Sequence, residues 1–113
     1  MSSQTALKRI VLDLHGALER LFPKRDFEII LFGSYARNEA DNESDIDLLC
    51  LVDAPREEIS KKNWQVGEFA AELLMEYGVV VSPIIENREY YRANAQTLPF
   101  FRNIEREGVR ISA

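Results

Sequence analysis

The sequence predicts a single α+β domain whose small mixed β-sheet carries helices packed on one side. Two observations support this prediction. Apolar residues follow helical spacing in some segments and strand spacing in others, and these segments run in the order helix, strand, strand, helix, strand, helices. A chain of 113 residues can bury a core without disulfides or a structural metal. Because no linker or repeat divides residues 1–113, we expect one domain with one site.

The first three elements follow from the spacing of apolar residues. These residues recur at helical spacing from Thr5 to Leu21, which predicts an amphipathic helix. The segment Phe27–Phe32 alternates at first and is then apolar on both faces, as expected of a central strand. The segment Ile46–Val52 is a second apolar strand, with charged residues only around its start.

The second half of the chain predicts a long helix and a strand at the edge of the sheet. The residues from Asp53 to Pro55 can start the helix, and its apolar stripe continues to Gly78. Val79–Ile85 is a third strand, in which Pro83 lacks an N–H for the ladder and so indicates an edge position or a broken strand. The remaining elements are two short helices and a brief strand, at Asn87–Asn94, Leu98–Glu107 and Val109–Ile111.

Composition and charge narrow the classes of function. The formal net charge of −5 and the sequence pI of about 4.9 oppose binding to nucleic acid, which usually needs a basic surface. The chain shows no signal-peptide pattern and no apolar stretch of transmembrane length, so we expect no membrane contact. Its one cysteine, Cys50, lies in an apolar run and suits a buried thiol in the reducing cytoplasm.

A phosphate-binding site is indicated by Gly33 and Ser34 at the end of the first strand. Glycine allows a positive φ and close backbone approach, and the residues from Ser34 to Ala40 have the composition of a short helix. Backbone N–H groups at the start of such a helix bind anions, and the Ser34 hydroxyl can donate one more hydrogen bond. A glycine turn followed by a serine N-cap would show the same residues.

Asp45 and Asp47 are the candidate metal ligands. Successive side chains of a strand alternate between faces, so these two carboxylates point the same way, about 7 Å apart along the chain. Such a pair repels itself, and a divalent cation between the two relieves that repulsion. Oxygen ligands without Cys or His favour Mg²⁺ or Mn²⁺ over zinc. A solvated strand start after a polar turn would also explain both acids.

Together these residues resemble a known family. Gly33-Ser34, ten residues, then Asp45-x-Asp47 match the GSx10DxD signature of nucleotidyltransferases of the DNA polymerase β-like superfamily. The wider text GSYAR…SDIDLL is similar to the minimal members of that superfamily, and the similarity extends over nearly the whole chain. The resemblance implies a polymerase β palm-like nucleotidyltransferase fold. Asn38 stands where relatives often have glycine, a tolerable change because asparagine also accepts a positive φ.

The resemblance also implies an activity and a site. Gly33 and Ser34 would hold the triphosphate of a nucleoside triphosphate, with ATP as the expected substrate, while Asp45 and Asp47 would bind its Mg²⁺. A hydroxyl would attack the α-phosphorus and release pyrophosphate. Arg37 would offset charge on the phosphates, although a surface residue without a role is equally compatible with that position.

The third carboxylate of active relatives has no clear equivalent in the sequence. The matching position on the third strand is Ser82, which carries no charge. Glu86 is the nearest acid, and it shares the strand parity of Ser82, so it could face the site from one pleat further on as a third metal ligand. Without a third acid, the general base or a second metal ligand is in question, whereas nucleotide binding is not.

Two functions are compatible with the sequence. In the first, the chain transfers a nucleoside monophosphate to a hydroxyl on a protein partner, because the minimal members resemble antitoxins that modify a tyrosine of a helical HEPN-type toxin. In the second, the same domain binds and blocks that partner without chemistry. A third function, polymerisation onto RNA ends, would need basic grooves that this acidic chain lacks. A homo-oligomer is compatible with the sequence.

Two features of the sequence bear on the surface that would meet a partner. The net charge of −5 would steer a basic protein toward this chain. Aromatic residues are dense between Tyr90 and Phe101, a composition typical of protein contacts and equally of packing over the sheet.

Overall fold

The computed structural model of the protein describes residues 3–41 and 44–111, and it confirms the α+β class. Helices and strands in these ranges follow one another as α1 (Ser3–Leu21), β1 (Phe27–Phe32), β2 (Ile46–Val52), α2 (Arg56–Lys61), α3 (Asn63–Tyr77), β3 (Val81–Asn87), α4 (Arg88–Asn94), α5 (Pro99–Glu107) and β4 (Val109–Arg110). None of the helices in these ranges is long and apolar enough to cross a membrane.

The four strands form one mixed sheet in the order β3-β2-β1-β4. β1 pairs antiparallel with both β2 and β4, whereas β2 and β3 run parallel. A parallel pair requires a crossover connection, which α2 and α3 provide. β1 and β2 are therefore the central strands, in agreement with their apolar sequences.

Helices cover both faces of the sheet, which corrects the one-sided cover expected from the sequence. The reason lies in β2, where every side chain from Leu48 to Val52 is buried, so each face of the strand needs a layer over it. α1 and α3 pack on the face that carries Leu48 and Cys50. Residues of α4 and α5 pack on the opposite face, over Leu49 and Leu51.

Two element boundaries differ from those expected. The helix expected between Asp53 and Gly78 is divided at Lys62 into α2 and α3. Gly78 does end α3, and its φ of 68° is the left-handed conformation that glycine adopts at helix ends. β3 starts at Val81 and extends to Asn87, so it includes Glu86.

The edge position predicted for β3 is confirmed, and Pro83 leaves the strand unbroken. The N–H of Ile46 on β2 donates to the carbonyl oxygen of Val80 at 2.9 Å, so backbone groups of that parity point toward β2. Pro83 has the opposite parity and therefore faces the open side of the sheet. Because proline has no N–H, a second strand finds no donor at this point, which protects the edge from unwanted pairing.

Packing accounts for most of the aromatic residues between Tyr90 and Phe101. Tyr91 and Phe101 are buried in the cluster that covers Leu49 and Leu51. The Tyr91 hydroxyl donates to Glu105 at 2.6 Å, which satisfies the one polar atom of that ring. Phe100 differs from these residues, because nearly half of its surface is exposed.

Candidate active site

Gly33 follows β1 at a point where the backbone comes very close to β2. The register pairs Phe32, the last residue of β1, with Asp47. Gly33 has a φ of 75°, which disfavours any side chain. A Cβ placed on it would overlap Asp47 Oδ2 and would lie 3.2 Å from Asp47 Cγ. Glycine is therefore favoured at position 33 both by its backbone conformation and by the adjacent carboxylate.

The short helix expected from Ser34 to Ala40 does not form, and a single turn takes its place. The N–H groups of Ala36 and Arg37 donate to the Gly33 carbonyl oxygen at 3.1 and 3.2 Å. The turn closes at once because Asn38 adopts a φ of 59° and the Glu39 N–H donates back to the carbonyl oxygen of Ser34 at 2.9 Å. Asn38 thus takes the left-handed conformation expected of it.

This single turn changes the physical basis of the phosphate site. One turn has too few aligned peptides for the helix dipole that the sequence suggested. Its first N–H groups are nevertheless available: within the described residues, those of Ser34 and Tyr35 donate to no acceptor. Both groups lie next to Gly33, beside the acid pair. An anion bound there would accept their hydrogen bonds.

Asp45 and Asp47 are close enough to influence each other. Asp47 lies in β2 and is partly buried, whereas Asp45 lies one residue before the strand and is exposed. Burial and, to a smaller degree, the negative charge of Asp45 raise the pKa of Asp47, while Arg37 opposes the increase. A carboxylate held in this way is stabilised by a bound cation, which replaces lost water and offsets the repulsion.

Arg37 lies on the turn between the acid pair and α5. Its guanidinium forms ion pairs with Glu39 at 3.1 Å and with Glu107 at 3.6 Å, and its positive charge acts on Asp47. The side chain is about two-fifths exposed, so it can exchange these partners for a phosphate. The structure therefore brings Arg37 to the site together with Gly33, Ser34 and the two aspartates.

Ser82 lies directly beside Asp47. The parallel register of β2 and β3 pairs these two residues, so their side chains share one face of the sheet. This is the position at which the family resemblance implies a third carboxylate. Among residues 3–41 and 44–111, no three His, Cys, Asp or Glu side chains gather in a way that could hold a metal ion.

The structure does not bring Glu86 to this site, contrary to the expectation that it could act from one pleat further on. Glu86 pairs with Leu51, four residues beyond Asp47 on β2, which is about 13 Å along the strand. Its carboxylate instead accepts the Asn87 N–H at 2.7 Å and lies 3.6 Å from Arg56 Nε. A surface cavity of about 570 Å³ opens at that end of the sheet, away from the paired aspartates.

An aromatic pair at the site was not anticipated from the sequence. Phe32 and Asp47 are cross-strand partners, so their side chains emerge side by side on the face of α4 and α5. The ring of Phe100, on α5, meets the ring of Phe32 edge to face, with centroids 5.6 Å apart. Strand parity alone could have placed Phe32 with Asp47, but only the packing of α5 brings in Phe100.

The geometry defines a class of protein. A turn whose first N–H groups have no acceptor in the described part of the chain follows one strand, and a carboxylate pair lies at the start of the next strand, directly beside it. Two carboxylates without sulfur or imidazole fit a hard divalent cation such as Mg²⁺. This combination suits metal-assisted transfer of phosphoryl or nucleotidyl groups.

Comparison with known proteins agrees with this class. The model of the nucleotidyltransferase domain family matches residues 13–108, and the chain belongs to that family. A protein of Methanocaldococcus jannaschii named "Putative protein adenylyltransferase" is 35% identical over 108 residues, which is 96% of this chain and 96% of the relative. A second protein of the same name and organism is 36% identical over 84 residues, covering 74% of this chain and 76% of the relative.

A solved structure shows the same fold. It is a crystal structure of a toxin-antitoxin with AMP-PNP, and it superposes with a TM-score of 0.58 over 91% of this chain and 73% of the other chain. The sequence identity is 21%, so the superposition shows a shared fold and nothing finer. Together with the family match, these findings confirm the expected nucleotidyltransferase fold, and the chain is a nucleotidyltransferase enzyme.

Proposed function

We propose that this protein transfers AMP from ATP to a hydroxyl group on a partner protein, with Mg²⁺ as cofactor, and that it works in the cytoplasm as the antitoxin of a HEPN-type toxin. The observation that carries the proposal is the close approach of the Gly33 turn to Asp47, which sets phosphate donors beside metal ligands. The names of the two relatives support adenylyl transfer to a protein.

Each residue of the site has a role in this reaction. The N–H groups of Ser34 and Tyr35 and the Ser34 hydroxyl bind the β- and γ-phosphates, and Arg37 offsets their charge. Asp45 and Asp47 would hold Mg²⁺, which would supply Lewis acid stabilisation of the charge that develops on the phosphate oxygens. The closeness of Gly33 to Asp47 fixes the distance between the phosphate donors and the carboxylates, so the α-phosphorus is held in position.

The transfer balances without any further reactant. The acceptor oxygen forms a bond to the α-phosphorus, and the bond from that phosphorus to the α,β-bridging oxygen breaks. Pyrophosphate leaves with the electron pair, and the hydroxyl proton passes to water. A neutral Ser82 beside Asp47 cannot serve as a carboxylate base, so the residues of this chain provide positioning and charge stabilisation more than proton transfer.

A partner protein is supported by the surface of α3. Trp64, Ala71 and Met75 lie within about 40° of one another around the helix axis, and we call them the α3 face. Trp64 is 66% exposed and Met75 is 87% exposed, which is unusual for large apolar side chains. The face is flanked by exposed acids that form no ion pair within the described residues, namely Glu68, Glu72 and Glu76.

The chemistry of this face indicates a basic helical partner. No Lys or Arg lies within α3, and Arg20 of α1 is the basic residue that lines surface cavities together with these three acids, so the flank carries a net negative charge. Two copies of the chain that met through this face would bring these acids together, which disfavours self-association. A helix with apolar residues on one side and basic residues beside them would complement it. The toxin-antitoxin with the same fold also supports a protein partner.

A second candidate function rests on Ser82. Because this residue is neutral beside Asp47, the described residues place two carboxylates at the site where the family resemblance implies three. A domain of this kind would still bind Mg²⁺ and ATP through the Gly33 turn and the acid pair. It would then block its partner by binding alone.

Intact mass distinguishes the two functions. We would co-express the protein with the product of the neighbouring gene and measure the mass of that partner, with the Asp45→Asn, Asp47→Asn double variant as control. Adenylyl transfer predicts a partner heavier by one AMP in the wild-type culture and not in the control. A stable complex with an unmodified partner supports blocking, and the absence of both complex and modification contradicts both functions.

A further inference from the structure

We propose that Phe100, together with Phe32, forms the surface on which the nucleobase of the bound nucleotide stacks. This inference rests on the proposed function, because it assigns the base-binding part of the same site. Phe100 belongs to α5, far along the chain from the Gly33 turn and the acid pair, and it reaches the site only through its contact with Phe32.

The distance from the metal ligands to this surface is short. Phe32 and Asp47 are directly opposite each other on antiparallel strands, where Cβ atoms lie about 5 Å apart. The ring centroid of Phe100 lies 5.6 Å from that of Phe32. A nucleotide whose α-phosphate lies at the acid pair therefore has an aromatic surface within the span of its ribose and base.

The exposure of Phe100 points to a ligand more than to a packing role. Phe101 is 8% exposed and fills the core beside Tyr91, whereas Phe100 is 47% exposed. The rings of Phe32 and Phe100 are inclined by 84° and meet edge to face, and nearly half of the Phe100 surface stays exposed. An open, supported ring is the platform that a base needs for stacking.

The rest of the site leaves the base few other positions. On the face that carries Asp47, the sheet beyond Leu49 is covered by Tyr91 and Phe101. The neighbour of Asp47 on the other side is Ser82, a small polar residue near the open edge of the sheet. The apolar side of the site is therefore that of Phe32 and Phe100. The Ser82 side is left for the acceptor hydroxyl.

This assignment can be tested with two ligands, one of which contains the nucleoside while the other consists of the phosphates alone. Calorimetry would measure binding of Mg²⁺-ATP and of Mg²⁺-tripolyphosphate to the wild type, to Phe100→Ala and to the conservative variant Phe100→Trp. We expect Phe100→Ala to weaken ATP binding roughly tenfold, within the range of base stacking on an aromatic side chain. Binding of tripolyphosphate should not change, and Phe100→Trp should retain ATP affinity. Leu98→Ala, which removes another exposed apolar group near the start of α5, should bind both ligands as the wild type does.

The outcomes separate this inference from the function on which it rests. If the wild type binds neither ligand, the proposed function is wrong. If the wild type binds Mg²⁺-ATP and Phe100→Ala binds it equally well, the base does not stack on Phe100 and the inference is overturned. Equal weakening of ATP and tripolyphosphate would also overturn it, because a general change of the site would then explain the loss. Circular dichroism confirms that each variant is folded.

Discussion

Gly33 lies so close to Asp47 that a single methyl group at position 33 would overlap the carboxylate. The cause is the antiparallel register of β1 and β2, which sets Phe32 opposite Asp47. Gly33, the next residue, therefore passes close to the start of β2. The pairing of β1 with β2 is thus enough to bring the N–H groups of the turn and the carboxylates of the acid pair so close that one ligand can bind both. The contact between Gly33 and Asp47 makes the site sensitive to the smallest possible substitution.

A series of three glycine variants separates the effect of this contact from that of backbone strain. Gly33→Ala introduces both a side chain at positive φ and an overlap with Asp47, so we expect a loss of more than about 2 kcal/mol in unfolding free energy or a displaced carboxylate, and no measurable Mg²⁺-ATP binding. Gly78→Ala has the same sign of φ but open space, and we expect a loss of about 1 kcal/mol with normal binding.

The third variant is the matched control. Gly67 lies inside α3, and no atom is within 4 Å of a Cβ built on it, so Gly67→Ala should stabilise the protein by up to about 1 kcal/mol. Denaturant unfolding and calorimetry measure the two quantities. Normal Mg²⁺-ATP binding by Gly33→Ala would show that the approach to Asp47 is not needed for function.

Asp47→Asn should separate stability from binding. The pKa of Asp47 is raised in the folded protein, so its charge opposes folding at neutral pH, and that cost decreases as the pH falls through the folded pKa and is gone below the unfolded pKa. Without metal, the variant should therefore melt at a higher temperature than the wild type at pH 7. With Mg²⁺-ATP at a hundred times Kd, the wild type should gain about 2.7 kcal/mol and the variant nothing.

Thermal scans with and without Mg²⁺-ATP check both parts of this expectation. Asp53→Asn changes an exposed aspartate at the other end of β2 and serves as the control, with a normal ligand-induced shift. An Asp47→Asn protein that gains as much stability from Mg²⁺-ATP as the wild type would exclude Asp47 as a ligand of the metal.

Ser82→Asp should raise the rate of adenylyl transfer if the missing carboxylate limits the chemistry. The register places the new side chain beside Asp47, where it can act as a base or a further metal ligand. A general base contributes about 10²- to 10⁴-fold, so an increase of tenfold or more is expected even from imperfect geometry. Single-turnover measurement with the partner separates this rate from product release.

Glu86→Gln is the companion variant, and it should leave the transfer rate unchanged. Glu86 contacts Arg56 at the far end of the strands and does not reach the acid pair. If Glu86→Gln reduced the rate while Ser82→Asp had no effect, the third position would have been assigned to the wrong residue. Both variants are needed. Ser82→Asp tests whether a carboxylate at position 82 raises the rate, and Glu86→Gln tests whether Glu86 already contributes to it.

The sequence predicted the parts of this site that depend on local geometry. The end of β1 before Gly33 and the start of β2 near Asp47 follow from residue type and spacing. The position of Ser82 was inferred from the resemblance to a family, and the parallel register of β2 and β3 agrees with it. Local pattern was sufficient in these cases because neighbouring residues determine the conformation.

The parts that depend on packing at long range were not predicted. Glu86 has the right parity, but its distance from Asp47 depends on the register of β2 and β3. Residues near Glu86 in the sequence do not determine that register. Helices on both faces follow from the complete burial of β2, and the turn after Gly33 is shortened by Asn38. Phe100 meets Phe32 only because α5 crosses the sheet at that end, which no spacing in the sequence indicates.

Cys50 should make stability depend on alkaline pH. Burial raises the pKa of its thiol from 9.0 to about 12, so the folded state keeps a proton that the unfolded state releases. The stabilisation is complete below pH 9 and is lost as the pH rises toward 12, at up to about 1.4 kcal/mol per pH unit. Denaturant unfolding at pH 8, 9 and 10 should show a steeper decline for the wild type than for Cys50→Ala. Equal slopes would mean that the thiol is ionised in the folded protein.

The α3 face should be the surface that binds the partner, and its acidic flank should set the partner's charge. Trp64→Glu removes the largest exposed apolar group of that face and adds a like charge to the flank, so we expect the complex with the neighbouring gene product to weaken at least thirtyfold, as for a central interface residue. The variant should still bind Mg²⁺-ATP, because α3 packs on the face of the sheet opposite to Asp47.

Val109→Glu offers the control, since this half-exposed residue lies on β4, at the other edge of the sheet from β3. Titration of purified components at two salt concentrations gives the affinity and its electrostatic part, which should diminish as salt rises. A complex that survives Trp64→Glu unchanged, but is lost in Val109→Glu, would place the partner on the opposite side of the domain.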